Sequence, residues 1–216
     1  MEFRDILFDL DGTLTDPALG ITNSVMYALK RYGIEVEDRS ELYKFIGPPL
    51  AESFEKYYGF STEESYRAVD VYREYYRDKG IFENVLYDGV EDMLAKLKVA
   101  GKRVFLATSK PEIFANRILE HFGILKYFDG VTGSELSGER TDKTEVIKVC
   151  RDRYGIADAV MVGDRSFDVI GAKENKIPSV AVLYGYGSRE EFEETRADYI
   201  VEKVSDLEKI ILKIDK

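Results

Sequence analysis

From Tyr87 onward the chain alternates short apolar runs with helix-length segments, and that rhythm leaves few folds open. Val104-Phe105-Leu106-Ala107, Gly130-Val131, Ala159-Val160-Met161-Val162 and Ser179-Val180-Ala181-Val182 each follow a helical stretch, over 89–100, 111–122, 143–154 and 168–175 in turn. Ile6-Leu7-Phe8 reads as another short buried strand ahead of them. Strands that are apolar on both faces need cover on both faces, and the intervening helices can supply it. Right-handed crossovers then order the strands as a doubly wound, Rossmann-like parallel sheet, an α/β core.

Between the first strand and residue 85 the signals are helical. Asp16-Pro17 is an N-cap followed by a first-turn proline, and Ile21, Val25 and Leu29 carry the helix toward Gly33. Further helices are expected from Pro48-Pro49 to Gly59 and from Thr62 to Lys79, the latter with Tyr66, Val69, Tyr72 and Tyr76 on one stripe. The division expected is an α/β core over 1–15 and 85–216 and an inserted all-helical cap over 16–84. The insert leaves after the first strand, at the carboxyl edge where ligands bind such sheets, which is the place for a lid.

Chemical groups gather at that same edge. Asp9 and Asp11 follow Phe8 on one side of an extended chain, and Gly12-Thr13 forces an immediate turn. Solvation favours separating two such acids, so holding them together suggests chemistry: one to attack, one to move a proton. Thr108 and Ser109 follow Leu106, while Gly163-Asp164 and then Asp168 follow Val162. Lys143, at the start of a helix, is the expected cation, with Arg140 and Lys148 as alternatives. Asp168 also suits a first helical turn, where the dipole favours an acid. His121 and Cys150 read as structural.

The net charge of −10, from 31 basic and 41 acidic side chains with no basic block, argues against binding nucleic acid through its phosphates. One cysteine allows no internal disulfide, which suits a reducing compartment. No apolar run approaches the ~18 residues of a membrane span. The expectation is a cytoplasmic monomer or homodimer with no membrane partner.

Asp9-x-Asp11-Gly12-Thr13, Thr108, Lys143 and Gly163-Asp164-x-x-x-Asp168 resemble the four motifs of the haloacid dehalogenase superfamily. The likeness runs along the whole chain, with the insert in the position of that family's helical cap. The third motif departs from a frequent Lys-Pro version, reading Arg140-Thr141-Asp142-Lys143-Thr144-Glu145. The resemblance implies a Mg²⁺-dependent phosphomonoester hydrolase acting on a small phosphorylated metabolite. It implies Asp9 as a nucleophile forming an aspartyl phosphate, and Asp11 as the acid and then the base. Thr108, Ser109 and Lys143 would hold the phosphate. Asp9, the backbone carbonyl of Asp11 and Asp164 would hold Mg²⁺, with Asp168 acting through water. Phe45-Ile46-Gly47-Pro48-Pro49 resembles a cap loop of phosphoglycolate-phosphatase-like members, which makes Gly47 and Pro48 candidate specificity residues. The likeness implies a phosphoglycolate phosphatase-like enzyme, with a 5′-nucleotidase acting on nucleoside monophosphates, or a sugar phosphomutase with the same core, as the alternatives. A hydrolytic dehalogenase would need neither Asp11 nor Mg²⁺, and a phosphonatase would need a lid lysine that does not stand out. A silent metabolite-binding module would be expected to lack Asp9, Asp11 or Lys143, and all three are present.

Overall fold

The computed structural model describes residues 3–212. In chain order it begins with β1 (Asp5–Phe8), β2 (Thr15–Asp16), α1 (Ala18–Arg31), α2 (Leu50–Tyr58), α3 (Thr62–Tyr76) and β3 (Val85–Leu86). It continues with α4 (Val90–Val99), β4 (Arg103–Pro111), α5 (Glu112–His121), β5 (Gly130–Ser134), α6 (Lys143–Tyr154) and β6 (Ala159–Gly163). Then come α7 (Ser166–Glu174), β7 (Ser179–Val182), α8 (Arg189–Glu194), β8 (Tyr199–Val201) and α9 (Val204–Leu212). The elements form two compact units, one of Asp16–Val85 and the other of the chain before and after it.

The larger unit is built on a six-stranded sheet of order β5-β4-β1-β6-β7-β8, in which the recorded pairings are parallel. From β1 the chain steps out to β4 and β5, then returns to lay β6, β7 and β8 on the other side. That reversal is the topological switch of a doubly wound sheet, and the carboxyl end of β1 lies at it. All four residues of β1 are buried. Leu7, Phe105, Ala107 and Met161 pack with Val146, Ile147 and Cys150 of α6 and Ala172 of α7. Their neighbours Ile6, Phe8, Leu106, Val160 and Val162 point to the other face and are equally buried. The burial of both sets explains why the runs lack polar alternation. Asp5 is the exception in β1; its carboxylate is clamped by Arg103, whose Nε donates to Oδ1 at 2.7 Å.

The smaller unit is helical. The α1 and α3 helices pack together, and α2 packs on α3. Phe45 meets Phe54 edge-on and Phe54 stacks on the half-buried Phe60, with Tyr32, Tyr57 and Tyr58 around them. Ser61 and Glu64 form a capping box that starts α3, and Gly59 ends α2 in the left-handed region at φ 68°. The Asp16 carboxylate accepts from the Ala18 N–H at 3.0 Å, but the N-cap of α1 is Pro17 and the helix starts at Ala18, so Asp16 and Pro17 each stand one residue ahead of the cap and first turn expected of them. The expected tyrosine stripe needs correction. Tyr66 does not share the buried stripe of Val69, Tyr72 and Tyr76: it is 55% exposed. The stretch Arg39–Phe45 forms a 3-10 helix that no periodicity announced. Gly47, at φ 102°, and Pro48 lie between that helix and α2. Among the described residues, no helix is long and apolar enough to cross a membrane.

Candidate active site

The loop after β1 is wound tightly on one carbonyl. Leu10 O accepts from the N–H groups of Thr13 (3.2 Å), Leu14 (2.9 Å) and Thr15 (3.1 Å), and the Asp9 N–H donates to Val162 O of β6 at 2.9 Å. Gly12 makes the turn at φ 79°, and a Cβ there would stand 2.0 Å from Asp164 Oδ2. The position therefore requires glycine twice over, for its backbone angle and for the approach of Asp164.

Asp164 follows β6 and is closed to solvent. Gly163 before it leaves the space that Asp168 fills, since a Cβ on Gly163 would lie 2.1 Å from Asp168 Cγ. Asp168 Oδ2 accepts from the Arg165 N–H at 3.1 Å, the capping role its place in α7 suggested. Its other oxygen faces Lys143, so both readings of Asp168 coexist in one side chain. Lys143 is the first residue of α6, whose N-cap Asp142 accepts from the Glu145 N–H. Its Nζ reaches the sheet edge, 2.8 Å from Asp9 Oδ1 and 2.9 Å from Asp168 Oδ1, and donates to Ala107 O at 3.2 Å. Arg140 instead donates to Gly133 O and pairs with Glu135, while Lys148 lines a surface groove with Arg151 and Glu174.

Two contacts were not foreseen. Lys110 Nζ lies 2.5 Å from Asp11 Oδ2, both side chains being nearly closed to solvent. The Tyr186 N–H donates to Asp164 Oδ2 at 2.8 Å. Lys110 stands two residues beyond Thr108, but β4 shifts register between Ala107 and Pro111, so the period of a regular strand does not place its side chain. Thr108 is buried, and its Oγ1 accepts from the Lys110 N–H at 3.3 Å; Ser109 beside it is half-buried.

The electrostatics are those of a crowded anionic site. Burial raises the Asp11 carboxyl above the usual carboxylate range, against the pull of Lys110. Burial also pushes Asp164 well up, with Asp168 and Asp9 adding to it. Burial raises Asp168 too, opposed by Lys143. For Lys143 burial acts downward, but Asp168 and Asp9 outweigh it and hold the ammonium protonated.

Asp9, Asp164 and Asp168 each offer an oxygen within 4.8 Å of the others. Asp9 Oδ1, Asp11 Oδ1 and Asp168 Oδ1 are shut off from solvent with no hydrogen-bond donor in line, although Lys143 stands at ion-pair distance from two of them. When all are ionised, the four carboxylates exceed the two ammonium groups by two charges. Buried oxygens in that state call for a hard divalent cation, and the donor set fits Mg²⁺.

Comparison with known proteins follows the same line. The model of the haloacid dehalogenase-like hydrolases matches residues 6–182. A 5′-nucleotidase of Pseudomonas aeruginosa is 45% identical over 193 residues, covering 88% of this chain and 87% of that one. The tyrosine-protein kinase PtkA of Mycobacterium tuberculosis is 41% identical over 198 residues, which are 90% of this chain and 64% of that protein. The crystal structure of a predicted phosphatase from Clostridium acetobutylicum superposes with a TM-score of 0.96 at 49% identity, covering 99% of this chain and 100% of that one. Matched over most of its length in sequence and in fold, the chain belongs to the haloacid dehalogenase-like hydrolase family.

Proposed function

We propose that the chain is a Mg²⁺-dependent phosphomonoesterase that works through an aspartyl phosphate on a small phosphorylated metabolite. The observation that carries this reading is the pairing of Asp9 with Lys143 at the carboxyl end of the central strand, with Asp11 two residues on. Asp9, the Asp11 carbonyl and Asp164 would hold the metal, with Asp168 joined through water. Bound there, Mg²⁺ supplies neutralisation of the phosphate oxygens.

The remaining work falls to this chain's own groups. An Asp9 oxygen attacks phosphorus while the bond to the leaving alkoxide breaks. Asp11 gives that alkoxide a proton, and its raised pKa, set by burial, supports a carboxyl protonated at that moment. Asp11 then takes a proton from water, which attacks the phosphorus, frees phosphate and restores Asp9. Lys143 lets the two anions approach, and Thr108 with Ser109 orients the phosphate.

The name of the Pseudomonas relative puts nucleoside monophosphates ahead of phosphoglycolate, which the cap loop at Gly47 and Pro48 suggests by resemblance. The test is phosphate release with Mg²⁺ across nucleoside monophosphates, phosphoglycolate, sugar phosphates and phosphotyrosine, with Asp9→Asn as the control. One substrate turned over well above the rest, with kcat/KM in the ~10⁴–10⁸ M⁻¹s⁻¹ range, supports the reading. Absence of hydrolysis across the panel refutes it.

A further inference from the structure

The segment from Leu183 to Ser188 joins β7 to α8 and is pinned at both ends. The Leu183 N–H donates to Val201 O of β8 at 2.8 Å. Ser188 Oγ accepts from the Glu191 N–H at 3.2 Å at the start of α8. Glu191 in turn accepts from the Ser166 N–H at 2.5 Å and pairs with Arg165 at 3.3 Å, which ties α8 to the start of α7.

Between these anchors the loop lies flat against Asp164. A Cβ on Gly185 would meet Gly12 O at 2.3 Å and Asp164 Cβ at 2.4 Å. One on Gly187 would meet Asp164 O at 2.3 Å. Neither position has room for a methyl group, so the two glycines do more than turn the chain. Tyr184 holds the loop down: its hydroxyl donates to Thr13 O at 3.1 Å, and its ring meets Tyr87 edge-on at 5.1 Å. The result divides the Asp164 carboxylate. Oδ2 receives the Tyr186 N–H at 2.8 Å, whereas Oδ1 has only a long contact of 3.4 Å from Thr13 Oγ1.

The geometry points to the Tyr184–Gly187 loop as a device that makes Asp164 a one-oxygen metal ligand and thereby selects Mg²⁺ over Ca²⁺. The inference rests on the metal-binding role given to Asp9 and Asp164 above. Mg²⁺ demands an octahedral shell at about 2.0–2.1 Å and takes carboxylates by single oxygens. Ca²⁺ accepts about six to eight oxygens at longer range and gains from a carboxylate that can swing to present both. A backbone amide seated on Oδ2 denies it that second oxygen. Tyr184, Gly185 and Gly187 act through Asp164 and are positioning residues.

The test is calorimetric titration of the whole protein with Mg²⁺ and, separately, with Ca²⁺. Wild type is compared with Gly185→Ala and Tyr184→Phe, with far-UV circular dichroism to verify folding. Gly185→Ala should weaken Mg²⁺ by about 10–100-fold, the usual effect of disturbing a ligand's hydrogen-bonded support. Ca²⁺ should bind as well as before or better, so the preference collapses. Tyr184→Phe removes one hydroxyl and should move the ratio the same way by less; it decides alone if Gly185→Ala does not fold. Equal losses for both ions overturn the selection, and unchanged affinities overturn the clamp. A wild-type protein that binds neither ion overturns the metal-binding role itself, a result distinct from either.

Discussion

Removing the charge of Lys143 should unsettle the fold as well as the chemistry. The side chain is 4% exposed, and its ammonium lies 2.8 and 2.9 Å from the carboxylates of Asp9 and Asp168, whose side chains are 8% and 3% exposed. At an effective dielectric of about 20, each contact is worth about 6 kcal/mol in Coulomb energy. Desolvation of the buried ammonium offsets much of the pair of them. Deleting one partner of a buried network nevertheless costs about 3–5 kcal/mol, because the charges left behind stay desolvated. Lys143→Met keeps the stem and removes only the ammonium. At about 2–4 °C per kcal/mol for a unit of this size, the metal-free variant should melt roughly 6–20 °C below wild type. The assay is a thermal melt in EDTA at pH 7.5. The deficit should shrink at pH 5.5, because Asp168, already raised by burial, can then take up a proton. Adding Asp168→Asn to Lys143→Met should recover part of the loss. A metal-free Lys143→Met melting within about 2 °C of wild type would show the ion pairs to be nearly neutral in effect and overturn this prediction.

Three further outcomes are expected. Asp9→Asn should abolish phosphate release while its metal-free form loses less stability than Lys143→Met, because Lys143 keeps Asp168 and one of four crowded carboxylates has gone; residual turnover in the pure variant counts against Asp9 as nucleophile. Asp164 is held well above the ordinary carboxylate range by burial, Asp168 and Asp9, so its folded state binds the proton more tightly than the unfolded chain does. That contribution is fully present below the unfolded pKa of about 3.9 and is lost as pH rises through the raised folded value. The EDTA melting point should therefore fall as pH rises above the ordinary carboxylate range while the gain on adding Mg²⁺ grows; an equal Mg²⁺ gain at low and high pH contradicts this. Gly12→Ala places a Cβ 2.0 Å from Asp164 Oδ2 at φ 79° and should destabilise by more than about 1 kcal/mol in chemical denaturation, with the Mg²⁺-induced thermal gain lost.

The strands that read most clearly from sequence are those buried on both faces. Ile6-Leu7-Phe8, Ala159–Val162 and Ser179–Val182 fall within one residue of β1, β6 and β7. Their composition is set by burial alone, which a sequence records directly. Tyr199–Val201 carries three residues at a sheet edge, too few for any period, and α8 buries only Phe192 among its six residues. The loop side chains divide in the same way. Residues immediately after a strand are located by the strand, and so Asp9 and Asp164 could be placed at one edge, whereas Thr108 lies inside β4, which runs on to Pro111. Lys110 could not be aimed at Asp11, because β4 shifts register between Ala107 and Pro111, and no pattern reports such a shift. The Tyr186 amide belongs to the backbone and carries no residue-type signal at all.

The position of β1 sets an order of assembly. Its neighbours lie far along the chain: the ion pair between Asp5 and Arg103 spans 98 residues, and the contact between Thr13 and Asp164 spans 151. Closing loops of that length slows folding, since their entropy is lost before the contacts that reward it form. During synthesis at about 5–20 residues per second, Ile6, Leu7 and Phe8 wait roughly 8–30 s for β6 to emerge. The helical insert, contiguous from Asp16 to Val85, is made entirely within that interval. The nascent chain therefore carries β1 without a partner until β4 emerges and open along one edge until β6 does, and chaperone occupancy on ribosome-bound chains should end only once β6 has been released.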